Sequence, residues 1–198
     1  IQTIIIVLPI IHVLTFASPA YSQDMSLTEL ETKALLLNKQ GQYPEAVKAA
    51  EEALKVTEEK YGSDHTKTAA SVSILGLLHF SHGKYSDAEP LYMQALKINE
   101  KALGKNHPDI ATDLENLALL FQAQGRYPES ISLYKRALEI KKKAFSTNHI
   151  AVAKTMNNLA ALYFSQGMYQ EAEPLFEQAL SILEKNPGVD HDKMTTSL

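Results

Sequence analysis

Cysteine is missing from all 198 residues. Its absence excludes a disulfide framework, a thiolate metal site, a cysteine nucleophile and a lipid anchor on cysteine. Basic charge is short as well. The chain carries 19 Lys and Arg against 23 Asp and Glu, a formal net charge of -4. That leaves no positive field for a phosphate backbone, so nucleic acid is not an expected partner. Glycine is scarce, and the eight present all have architectural places: Gly41, Gly83, Gly125 and Gly167 at helix ends, Gly62, Gly104 and Gly188 in loops, Gly76 at a close helix contact. None remains for a phosphate loop or a strained nucleophile turn. The Gly-x-Gly-x-x-Gly, Walker, Gly-x-Ser-x-Gly and His-Glu-x-x-His signatures are also absent. Neither catalysis nor a cofactor is expected. What is present, 45% hydrophobic and 21% charged residues, suffices for a folded core.

Charge of either sign is lacking from Ile1 to Ser22. The run from Ile4 to Phe16 is apolar except at Pro9, His12 and Thr15, and gives way to Ala17-Ser18-Pro19-Ala20-Tyr21-Ser22. This reads as a signal peptide over residues 1–22, with Ala20 and Ser22 as the small residues before the cut. The run is shorter than the roughly 20 residues of a membrane span. An initiating Met and a basic n-region are missing, so the chain is expected to begin inside a longer product. The expectation is an exported protein, periplasmic or secreted, with no stable span after cleavage. A cytoplasmic chain, or one anchored by its N-terminal segment, is the alternative.

From about Ser26 onward the chain repeats every 42 residues. The turns Gly41-Gln42-Tyr43, Gly83-Lys84-Tyr85, Gly125-Arg126-Tyr127 and Gly167-Met168-Tyr169 mark the period. The pairs Ala53-Leu54, Ala95-Leu96, Ala137-Leu138 and Ala179-Leu180 share the register, as do His65, His107, His149 and His191. A fixed period of this length is the signature of a repeat array. Four units are expected over 23–185, at about 24–62, 66–104, 108–146 and 150–185, and residues 186–198 open a fifth.

Each unit holds two helices. Leu114, Leu117, Ala118 and Phe121 fall at i, i+3, i+4 and i+7 and form one stripe of a first helix, A; Ile131, Tyr134 and Leu138 do the same on a second, B. A short glycine turn makes the pair an antiparallel hairpin. Gly76, Ala118 and Ala160 on A face Ala88, Ser130 and Ala172 on B, where larger side chains would force the helices apart. Ser26-x-x-Glu29 and Ser86-x-x-Glu89 read as capping boxes. Pro44 and Pro128 open B helices, and Pro90 and Pro174 are placed slightly deeper in the first turn. Lys141, Lys142 and Lys143 read as a solvated face complementing the helix dipole, or alternatively as a patch for an acidic partner.

Lys105-Asn106-His107-Pro108, Asn157-Asn158-Leu159-Ala160 and Tyr169-Gln170-Glu171-Ala172-Glu173-Pro174-Leu175 resemble the tetratricopeptide repeat, in its 42-residue kinesin light chain variety. The resemblance covers about 170 residues in four in-register copies. It implies an all-α, right-handed superhelical solenoid of antiparallel helix pairs, whose A helices line a concave groove that receives extended peptides. Repeat one departs from the pattern with Lys33 in place of Leu75, Leu117 and Leu159, and Ala50 in place of Tyr92, Tyr134 and Phe176, as suits a terminal unit. The leader sets the chain apart from cytoplasmic kinesin light chains, so kinesin is not the expected partner.

Helical spacing assigns the groove face. With Leu114, Leu117, Ala118 and Phe121 turned to helix B, the neighbouring stripe of repeat three is Thr112, Glu115, Asn116, Leu119, Gln122 and Ala123. Repeat four offers Lys154, Asn157, Asn158, Ala161, Phe164 and Ser165. Repeat two offers Ala70, Ser73, Ile74, Leu77 and Phe80, apolar enough to seat a ligand side chain. Asn both donates and accepts, which suits a peptide backbone. The resemblance assigns that role to Asn116 and Asn158, while Lys154 suits a carboxylate. Ordinary solvated helix surface is the competing account of this stripe.

Histidine and tyrosine complete the candidates. His79 stands where Phe121 and Tyr163 stand, so it reads as a core aromatic, and His82 as exposed; neither reads as a metal ligand. The four loop histidines lie a whole repeat apart and read as packing or bonding within their own loops. Tyr43, Tyr85, Tyr127 and Tyr169 read as turn-packing residues. The expected function is a non-catalytic scaffold that binds a protein or peptide of unknown identity in its groove, oligomeric state undetermined. A sensory or regulatory segment of a larger enzyme and a self-assembly spacer are the alternatives.

Overall fold

The computed structural model describes residues 19–186. Residues 1–18, which hold most of the expected signal peptide, and 187–198, with Gly188, His191 and nearly all of the expected fifth repeat, lie outside them. The described residues form α1 (Pro19–Lys39), α2 (Tyr43–Tyr61), α3 (Thr66–Ser81), α4 (Tyr85–Leu103), α5 (Pro108–Ala123), α6 (Tyr127–Ala144), α7 (Ile150–Ser165) and α8 (Tyr169–Glu184), with no strand among them. Odd-numbered helices are the A helices and even-numbered ones the B helices. Packing is most extensive inside the hairpins α1–α2, α3–α4, α5–α6 and α7–α8, and each B helix also packs on the next A helix. The fold is an all-α solenoid of antiparallel helix pairs. Among the described residues no helix is long and apolar enough to cross a membrane.

The glycine turn explains the hairpins. In repeat three Gly125 takes φ +76, a left-handed conformation that costs a glycine little. The Arg126 N–H then reaches back to the Phe121 carbonyl at 2.8 Å, satisfying an orphan acceptor at the end of α5. Helix α6 begins at the next residue, with Pro128 in its first turn. Pro44 has the same place in α2.

Three capping expectations are corrected. The N-cap of α4 is Lys84, and its side chain makes no capping bond. Ser86 is therefore already inside the helix, and Glu89 turns to Arg126 and Gln124. Ser26 does not open its helix, because α1 begins at Pro19. Pro90 and Pro174 are the sixth residues of α4 and α8, in the second turn. Both are exposed, so water can satisfy the carbonyl that the missing N–H leaves free.

Helices α3, α5 and α7 are capped by the loop histidines, a role the spacing alone did not assign. Nδ1 of His65, His107 and His149 accepts the backbone N–H two residues on, at 3.1, 3.3 and 3.1 Å. Rings stacked at 5.0 Å (Tyr61 on His65) and 4.6 Å (Phe145 on His149) hold two of these caps in place.

Of the expected small contacts, that of Ala118 with Ser130 is present, while the nearest neighbours of Gly76 are Tyr92 and Leu91 and not Ala88. Ala118 and Ser130 are fully buried, and Ser130 Oγ donates to the Ala118 carbonyl at 2.7 Å. A Cβ added at Gly76 would come within 3.0 Å of the Tyr92 ring. His79 is half-buried with Nδ1 2.8 Å from the Tyr43 hydroxyl, and burial lowers its pKa below the usual histidine range. His82 is exposed and lies on the Tyr43 ring, 3.9 Å between centroids. Tyr169 differs from the other three turn tyrosines, being 60% exposed.

Candidate functional site

The seams between successive hairpins each hold a buried polar cluster at three positions that repeat every 42 residues. On the preceding A helix these are Glu31, Ser73 and Glu115; on the B helix Thr57, Asn99 and Lys141; on the following A helix Ser71, Asp113 and Thr155. Thr57, Ser71, Asp113, Lys141 and Thr155 are buried. Burial obliges such groups to find partners.

Three different solutions result. In the first seam Ser71 Oγ donates to Glu31 Oε1 at 3.0 Å, and Thr57 Oγ1 returns to its own helix at the Leu54 carbonyl, 2.8 Å away. In the third, Lys141 Nζ lies 2.7 and 2.8 Å from the two oxygens of Glu115, which also accepts from Thr155 Oγ1. In the second the acid has changed sides. Asn99 Nδ2 donates to Asp113 Oδ2 at 2.8 Å, and only the small Ser73 stands where Glu31 and Glu115 stand. Among the described residues no cationic side chain pairs with Asp113.

A cavity of about 550 Å³ opens at this second seam, between α3 and α5. Ser73, Ile74 and Leu77 form one wall, and Thr112, Asp113 and Asn116 the other. Tyr92 and Asn99 of α4 contribute further lining, and Lys67 and Asp109 border it. Asn116 Nδ2 spans the two walls to Ser73 Oγ at 3.5 Å. Burial pushes the Asp113 carboxyl above the usual aspartate range, opposed by the Asn99 hydrogen bond and assisted by the negative charges of Asp109 and Glu100.

Of the groove residues expected from spacing, Ala70, Ser73, Ile74, Leu77, Thr112 and Asn116 come together around this cavity. Leu119, Gln122, Lys154, Asn157, Asn158 and Phe164 are exposed or half-buried but do not line it. Two residues are corrected. Glu115 is committed to Lys141 and Thr155, tying α5 to α6 and α7, and is no free ligand-binding acid. Phe80 packs against the cluster that includes Tyr92 and Phe121, with the Tyr85 ring 5.7 Å away, and so serves the core. The lysine run also divides. Lys141 is buried, Lys142 lies 3.8 Å from Glu139, and Lys143 is exposed, because successive helical residues point about 100° apart.

Asp113 and Asn99 were not singled out by the stripe reading. A signal existed: Asp113 is four residues before Leu117, on the buried face of α5, where an acid is costly unless it has work or a partner. Among the described residues no group of three His, Cys, Asp or Glu side chains could hold a metal ion.

The family model for the tetratricopeptide repeat matches residues 24–101, 75–143 and 109–185. BtubC (BKLC) from P. vanneervenii superposes with a TM-score of 0.74 at 24% identity, over 85% of this chain and 67% of that one. A Podosopora anserina protein, described as a kinesin light chain with nearly identical TPR-like repeats, gives a TM-score of 0.70 at 28% identity, over 80% and 75% of the two chains. The apo form of RapI gives 0.68 at 18% identity, over 82% of this chain and 57% of its own. At these identities BtubC and RapI share the fold alone. No curated protein matches the sequence.

Proposed function

This chain belongs to the tetratricopeptide repeat family, and from that premise we propose that it is a non-catalytic interaction scaffold holding a peptide or protein segment on the concave face formed by its A helices. Repeats of this family generally mediate protein–protein contact, and the scaffold is typically non-catalytic. The observation that carries the reading is the cavity between α3 and α5, around which Ser73, Ile74, Thr112 and Asn116 converge from two repeats. Apolar walls with a few convergent polar groups are what a docked side chain requires. Export through residues 1–22 is part of the same proposal. Mass spectrometry of the chain expressed behind an initiating methionine would find a mature N-terminus at Gln23, and an intact N-terminus would refute export.

A pull-down with the chain as bait, followed by titration calorimetry on the recovered partner, tests the groove. Changing Asn116, Asn158 and Lys154 together to Ala should weaken binding at least about tenfold while leaving the melting temperature nearly unchanged. The same change at Lys135, Glu139 and Lys142 on α6 should do much less. If only the α6 variant lost binding, the partner would sit on the B-helix surface and the groove proposal would fall.

A further inference from the structure

The three seams differ in one respect that bears on the ligand. The third contains its own ammonium group: Lys141 Nζ lies beside the nearly buried Glu115 carboxylate and is held at 2.7 Å. The second has the buried carboxylate, Asp113, but Asn99 stands in the register of Lys141 and is a shorter, neutral side chain. The space that lysine occupies in one repeat is open in the repeat before it, where the cavity of about 550 Å³ lies.

The groups around this opening suit a cation. Asp113 accepts a hydrogen bond from Asn99 at Oδ2, and no bond to Oδ1 occurs among the described residues. Asp109, four residues before it on α5, adds a second carboxylate to the lining. Lys67 also borders the cavity, but its ammonium is turned to Tyr61, 3.0 Å from the hydroxyl and 4.4 Å from the ring centroid. Glu100 is paired with Arg136. The walls Ile74, Leu77 and Tyr92 offer an apolar surface on which a long aliphatic stem can lie while its charged end reaches the carboxylate. Asn116 and Ser73 add oxygens that can accept from an ammonium.

We propose that this cavity receives the side chain of a lysine presented by the bound peptide, its ammonium on Asp113 and its stem along Ile74 and Leu77, in the role that Lys141 plays within the next seam. The ligand of the groove is thus a basic segment, consistent with the chain's net charge of -4. This rests on the groove reading above and names the chemistry of its partner. A buried charge pair is strongly sensitive to removal of one partner.

The test uses the full chain, isotope-labelled, titrated with three synthetic pentapeptides that carry a central lysine, norleucine or acetyl-lysine between alanines and have both ends blocked. The lysine peptide should shift the side-chain amide signals of Asn99 and Asn116 and the carboxyl signal of Asp113. The other two, lacking the charge, should bind at least about tenfold more weakly. Asp113→Asn should abolish the preference for lysine without lowering the melting temperature, and Asp109→Asn should reduce it only slightly. Equal binding of lysine and norleucine peptides, lysine shifts that map away from the second seam, or an Asp113→Asn variant that still prefers lysine would each overturn the proposal. The calorimetry described above separates the two readings. A recovered partner lost by the groove triple variant but indifferent to Asp113→Asn removes the cation pocket alone, and one indifferent to both removes the groove itself.

Discussion

Lys141 and Glu115 form a nearly buried pair, with Nζ 2.7 and 2.8 Å from the two carboxylate oxygens and side-chain exposures of 11% and 16%. The pair joins α6 to α5, and Thr155 extends it to α7. Removing one member leaves the other charged without a counter-ion in a poorly hydrated seam. Lys141→Met should cost about 3 kcal/mol in urea unfolding, and adding Glu115→Gln should return most of that loss. Equal losses in the single and double variants would show that the pair is not what holds this seam.

Tyr134 carries the one buried side-chain polar atom that has no hydrogen-bond partner among the described residues, its hydroxyl oxygen. Burial, with the Glu115 charge nearby, raises its pKa well above the usual tyrosine value. Phe176 fills the corresponding place in the next repeat. Tyr134→Phe should therefore leave stability unchanged or raise it by about 1 kcal/mol, read from the urea midpoint. A comparable loss would reveal a partner for the hydroxyl.

Asp113 predicts a pH dependence of stability. Its carboxyl is raised on folding, so the native state favours the protonated form more than the unfolded state does. The stability associated with that proton is complete below the unfolded aspartate value, near 3.8, and is lost as pH rises through the higher folded value. Asp113→Asn removes this dependence. The variant should be more stable than the parent at pH 7, with the difference shrinking to nothing as pH falls below the ordinary aspartate value. A difference that persists unchanged into acid would mean that the charge of Asp113 is not the cause.

Ala118 sits fully buried against α6, its carbonyl taken by Ser130 Oγ. Ala118→Leu should overpack the hairpin at a cost of about 1 to 3 kcal/mol, whereas Gln94→Leu on the exposed side of α4 should cost under about 0.5. Equal thermal shifts for Ala118→Leu and Gln94→Leu would contradict the assignment of faces.

The local elements were legible from the residues alone. Apolar spacing such as Leu114–Leu117–Phe121 is set by the 3.6-residue turn of a single helix, and Gly125 announces a left-handed turn whatever surrounds it. The 42-residue period then determined the repeat architecture, since each hairpin must bury its apolar face on a neighbour of the same kind. The same helical spacing put Ala70, Ser73, Ile74, Leu77, Thr112 and Asn116 on the stripes whose residues line the cavity. Tertiary structure decided what helical phase could not: which polar side chains meet across a seam. Glu115, Lys141 and Thr155 come from three helices, as do Ser73, Asn99 and Asp113, and pairing between helices depends on axial offset and side-chain reach. That offset makes Glu115 a bolt and leaves Asp113 beside an open cavity, because a carboxylate in a dry seam is held by whichever donor the neighbouring helix can extend to it.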